Sequence, residues 1–124
     1  MKYKTAFIIQ TIVALPFGFA FLFIPKFLMS LYIDNPLTTD YIYLTRLYGS
    51  KALGLGLISL LGIWVTEIQA KRAITFGLGL FSLSHCILFI IGTLQGTLNY
   101  LGWMQAAVTG ILTVLYIIAL LSKE

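Results

Sequence analysis

A chain of 124 residues has the length of one soluble domain, but 60% of its residues are hydrophobic and 10% charged, and its mean hydropathy is +0.99; that composition excludes a water-soluble globular fold. The net charge of +4 comes from eight Lys and Arg scattered singly around apolar stretches, which form no basic stripe for nucleic acid and read instead as topology signals and interface anchors. The single cysteine, Cys86, has no second thiol with which to form an internal disulfide or a metal or redox pair.

The first apolar run covers residues 5–24, about 20 residues, enough to cross a hydrocarbon core about 30 Å thick. Lys2 and Lys4 precede it as they would in a signal peptide, but the run is longer than an h-region, so a retained signal anchor is expected. Pro16 removes a backbone donor within it and predicts a kink. Residues 26–33 place apolar side chains at helical spacing beside Lys26, the pattern of a short interfacial helix, and Asp34-Asn35-Pro36 signals a turn. Thr38, Thr39 or Asp40 can cap a second span over residues 41–65, which carries Arg46 and Lys51. A polar connector follows over residues 67–72, then a third span over 73–93, a turn at Gln95-Gly96-Thr97 and a fourth span over 100–121. Connectors this short make consecutive spans antiparallel. The expected fold is therefore all-α, a single-domain integral membrane protein built as an up-down-up-down four-helix bundle over residues 1–124.

Lys2, Lys4, Lys71, Arg72 and Lys123 fall on one side of such a bundle, and Lys26, Arg46 and Lys51 on or toward the other, which places both termini in the cytoplasm. The asymmetry is small enough that dual topology stays open. Tyr32, Tyr41, Tyr43, Tyr100 and Trp103 are expected to form an outer aromatic belt, and Tyr3, Trp64 and Tyr116 an inner one.

Gly49, Ala52, Gly56 and Ser59 recur at steps of three and four on the second span and form a seam free of bulky side chains, as close helix packing requires. Gly102, Ala106, Thr109, Thr113 and Tyr116 repeat the device on the fourth span. Such seams serve contacts within one chain or between copies. On the third span Thr75, Gly79, Ser82, His85 and Cys86 share one small, polar face, which should point inward.

No Asp or Glu lies within any of the four spans, so Arg46 and Lys51 lack an embedded carboxylate. Either both cations snorkel to the outer headgroups or one is partnered by a polar side chain or a bound anion. Arg46, which lies closer to the seam face, is the stronger site candidate. His85 falls near mid-membrane, where a lone histidine is a hydrogen-bonded packing residue or, less commonly, a haem ligand. The sequence contains no nucleophile–base pair, no phosphate loop and no paired carboxylates, so enzymatic activity is unsupported.

Residues 46–57 (RLYGSKALGLGL), followed after Lys71 and Arg72 by another span, resemble the second helix of small DoxX-like four-helix bacterial membrane proteins. The resemblance implies the four-helix fold and a bacterial inner membrane location; some members of that group are associated with quinone-linked redox systems, but no catalytic residue carries over. The functional expectation is a small anionic or amphipathic ligand, such as a lipid, a quinone or a haem, bound in the outer half of the bundle. Arg46, His85 and Gln105 would border that cavity, with Lys51 as a further candidate. The alternatives are a small transporter or channel, and an accessory subunit of a larger membrane complex. Expected partners are the bilayer, a small ligand and a homo-oligomeric or membrane-complex neighbour, with no nucleic acid; the sequence specifies no cofactor.

Overall fold

The computed structural model of the chain describes residues 2–34 and 38–122, Lys2 by its backbone alone. Asn35 and Pro36 of the expected turn, and Lys123 of the charge count, lie outside the described residues. The regular structure of the described residues is all helical: α1 (Lys2–Phe23), α2 (Pro25–Tyr32), α3 (Thr39–Gly62), α4 (Ile68–Leu94) and α5 (Leu101–Leu121).

The boundaries follow from local chemistry. Pro25 cannot donate a backbone N–H and disfavours helix in the residue before it, so α1 stops and α2 starts there, with Ile24 at φ −129° between them. Thr38 caps α3 by accepting a hydrogen bond from the Tyr41 backbone N–H at 3.2 Å. The polar connector expected over residues 67–72 is shorter than its composition implied, since α4 begins at Ile68 and includes Lys71 and Arg72. Both are good helix formers, and Thr75 Oγ1 donates to the Lys71 carbonyl at 2.7 Å within the continuous helix. Gly96 at φ +81° makes the α4–α5 turn, a conformation that side chains with a Cβ rarely adopt. Pro16 sits inside α1 on its exposed face.

Among the described residues three helices are long and apolar enough to cross a membrane: α1, α4 and α5. α3 has the length but carries Asp40, Arg46 and Lys51, and falls outside that set. Large apolar side chains cover the outside of the molecule, among them Ile12, Phe19, Leu61 and Ile111, an arrangement suited to lipid.

The four long helices pack mainly as two antiparallel pairs, α1 with α3 and α4 with α5, joined through α1 and α5, while α3 and α4 touch little. The α3 seam lies against α1. A Cβ added at Gly49 would stand 2.7 Å from the Leu22 backbone nitrogen, one at Gly56 would meet Leu15, and Ser59 Oγ lies 3.0 Å from Thr11 Oγ1. Ala52 is buried on the same stripe. On α5, Ala106 is buried and its carbonyl accepts from Cys86 Sγ at 3.4 Å, while Thr109 Oγ1 donates back to the Gln105 carbonyl at 2.8 Å.

Dense packing is concentrated at one end. Tyr3, Ala6, Phe7, Leu78, Leu112, Tyr116 and Ala119 form a closed cluster where α1 begins and α5 ends. Tyr3 and Tyr116, expected in an aromatic belt, are both 0% exposed, and Tyr32, expected in the other belt, is 5% exposed. These three are corrected to core positions; Tyr32 and Tyr116 have their hydroxyls bonded to a buried glutamine rather than to headgroups. Tyr41, Tyr43, Trp64, Tyr100 and Trp103 are exposed.

Candidate functional site

The opposite half of the molecule is not filled. A cavity of about 360 Å³ lies between the four long helices, under α2. Its walls are mainly apolar, with Phe17 and Phe21 from α1 and Phe81 and Phe89 from α4. Polar groups enter at scattered points: Gln10, Tyr32, Tyr41, Thr45, Tyr48, Ser82, His85, Gln105 and Thr109. Among the described residues, none of its lining side chains is Asp, Glu, Lys or Arg.

Two glutamines are each held by a tyrosine. Tyr116 Oη donates to Gln10 Oε1 at 2.7 Å, and Gln105 Nε2 donates to Tyr32 Oη at 2.6 Å. Gln10 is 3% exposed and Gln105 8% exposed. One end of each amide is therefore fixed, and the other end has no partner among the described residues. Ser82 is equally enclosed, 2% exposed, and its hydroxyl makes no hydrogen bond among the described residues. These hydrogen-bonding groups stand open to the cavity, whereas the buried side-chain polar atom without a partner among the described residues is Tyr3 Oη, in the closed cluster at the other end.

His85 is positioned by its own helix. Its Nδ1 lies 3.0 Å from the Phe81 carbonyl, which accepts, so Nδ1 carries the hydrogen. In the neutral ring Nε2 is then a bare acceptor, with no partner among the described residues. The ring packs against Phe81 at 4.0 Å between centroids and against Tyr48 of α3 at 5.4 Å, and Tyr48 meets Phe21 of α1 edge-on at 5.0 Å.

Of the four ligand-binding candidates read from sequence, His85 and Gln105 line this cavity and Arg46 and Lys51 do not. Arg46 was expected to share it; instead it is exposed and borders a separate surface groove with Phe23, Lys26, Phe27 and Ser30. The reason is angular. The cavity takes Thr45 and Tyr48 from α3, and Arg46 stands about 100° around the helix from Thr45, beyond the α1-facing seam. Lys51 is exposed on the outside of α3.

Sequence reasoning missed Gln10 and the two tyrosines that hold the amides. A signal for Gln10 was present: it is the one amide side chain in residues 5–24, and a strongly polar group in an apolar span needs an internal partner. Tyr116 stood on the seam of the fourth span as well as in the expected belt, whereas Tyr32 gave no signal, because Tyr at a helix end fits an interfacial belt as well as a core.

No protein-family model matches the chain, and no curated protein or solved structure is significantly similar to it.

Proposed function

We propose that this is a four-span integral membrane protein of DoxX-like architecture, both termini on the cytoplasmic side of a bacterial inner membrane, whose bundle binds a small neutral amphipathic molecule in its outer half. The observation that carries this reading is the pair of buried amides, Gln10 and Gln105, each fixed by a tyrosine and each offering its free end to one largely apolar cavity. Buried polar groups are ordinarily satisfied; a set left open around a shared space fits a ligand that completes them.

The lining selects the chemistry. With no charged side chain on its walls, the cavity would have to desolvate an anion without compensation, which narrows the anionic or amphipathic ligand expected from sequence to an uncharged one. A molecule with an apolar body and a carbonyl or hydroxyl end meets the remaining requirements. The free Gln10 Nε2 donates to a carbonyl, and Gln105 Oε1, Ser82 Oγ and His85 Nε2 accept from a hydroxyl.

The test is small-molecule analysis of protein purified from its own membrane, comparing the wild-type chain with Gln10→Leu and Arg46→Leu. The reading expects a neutral amphipathic species retained by wild type and by Arg46→Leu and lost from Gln10→Leu. If all three carry the same molecules, the cavity is not a binding site.

A further inference from the structure

Resting on that reading, we propose that the ligand is a bilayer-dissolved molecule which enters the cavity sideways, through the gap between α3 and α4, and not from water. Three observations converge on that gap. First, α3 and α4 are the neighbouring long helices that pack least, whereas α1–α3, α4–α5 and α1–α5 are closed by extended contacts. Second, three side chains border the cavity and are nevertheless more than half exposed: Tyr41 at 55%, Leu44 at 58% and Leu88 at 63%. A residue that lines an interior space and also faces outside marks an opening, and these three belong to α3 and α4 alone.

Third, the end of the cavity nearest the expected outer surface is shut. α2 lies over it, with Tyr32 and Met29 in the lining and Leu28 buried. Asn99, in the α4–α5 connection, clasps the last turn of α2: its side-chain Nδ2 donates to the Leu31 carbonyl at 2.7 Å and to Asp34 Oδ1 at 3.1 Å, and its backbone N–H donates to the Tyr32 carbonyl at 2.7 Å. Leu98, beside it, completes the roof.

The rim decides which phase supplies the ligand. Leu44 and Leu88 present apolar surface and Tyr41 an amphipathic ring of the kind that sits at a lipid interface, and the Tyr48–His85 ring contact stands just inside as the threshold. A neutral solute partitioned into lipid crosses this rim without leaving an apolar environment and meets its first hydrogen-bonding partners at Tyr48, His85 and Ser82.

The experiment uses proteoliposomes and hydroxymethyl-benzophenone, a neutral photoreactive molecule with one carbonyl and one hydroxyl. Irradiation at intervals after mixing, with labelled residues mapped by mass spectrometry, gives the rate at which the cavity fills. The double variant Leu44→Trp/Leu88→Trp narrows the gap and should slow cavity labelling about tenfold, the effect of roughly 1.4 kcal/mol on a barrier. Asn99→Ala, which loosens the roof, should leave the rate unchanged. In a Trp64→Phe/Trp103→Phe background, Leu88→Trp should be quenched by dibrominated phosphatidylcholine and not by aqueous iodide, a readout independent of ligand and of the double variant's folding.

Wild-type rates in the double variant together with faster filling in Asn99→Ala would assign an aqueous route and overturn the proposal while leaving the binding reading in place. A Leu88→Trp shielded from both quenchers would place a second copy over the gap and overturn it equally. Absence of cavity labelling in the wild-type chain would remove the binding reading, and the lateral route with it.

Discussion

Gly49 and Gly54 lie on the same helix five residues apart and make opposite predictions. At Gly49 an added Cβ would stand 2.7 Å from the Leu22 backbone nitrogen and 2.9 Å from the Gly18 carbonyl oxygen, and a backbone neighbour cannot swing aside. At Gly54 it would meet nothing within 4 Å. Gly49→Ala should therefore cost about 1–3 kcal/mol as overpacking between α1 and α3. Gly54→Ala should be neutral or stabilising by up to about 1 kcal/mol, because alanine has less backbone entropy to lose. Thermal unfolding in detergent ranks the two directly. Equal melting temperatures would mean that α1 and α3 are not held at this close approach. The seam was legible as small residues at steps of three and four, which take in Gly49 and leave out Gly54, but only packing shows that the partner it meets is the backbone of α1.

At the scale of the element, α2 stands apart from the long helices. It has eight residues, and an isolated helix of that length is marginal, so its stability comes from what it is fastened to. Leu28 and Tyr32 anchor one face, and Asn99 anchors its C-terminal carbonyls, that of Leu31 through its side chain and that of Tyr32 through its backbone N–H. Asn99→Ala removes the side-chain bonds and keeps the backbone one, at a cost of about 1–2 kcal/mol. The expected result is local: amide hydrogens of α2 exchange faster, while those of α1 and α3 keep their protection. A uniform acceleration across all helices would instead make Asn99 a support of the whole fold. The apolar pattern around Lys26 made this helix readable, with bounds of 26–33 expected against Pro25–Tyr32 observed. Its role as a roof was not readable, because the residue that clasps it is Asn99, 68 positions beyond Leu31.

For the whole molecule, the Asn99–Asp34 bond puts the end of α2 and the α4–α5 connection at one end, with the α3–α4 connection at the other. Combined with the cation asymmetry, this predicts that single cysteines at Asp34 and Gln95, in a Cys86→Ala background, react with an impermeant maleimide in intact cells. A cysteine at Gln69 should react only after permeabilisation. Labelling of all three from outside would exclude the four-span arrangement, and labelling of Gln69 alone would invert it. Arg46 belongs at this scale as well: it is exposed beside Lys26 and outside the cavity, a position that suits an interface anchor.

Hydropathy, helix length and turn residues are properties of neighbours along the chain, and so the all-helical class, the approximate helix bounds and the small-residue stripe on α3 were determined by the sequence itself. They depend on periods of a few residues, which a single chain displays in full. The cavity and its lining were decided only by tertiary structure. Gln10 meets Tyr116 across 106 positions, and Tyr32 meets Gln105 across 73. The side of the seam on which Arg46 falls depends on which helix α3 packs against. Such pairings are set by helix rotation and pairing in space, and a tyrosine or arginine near a helix end satisfies lipid interface and interior equally well until its neighbours are placed.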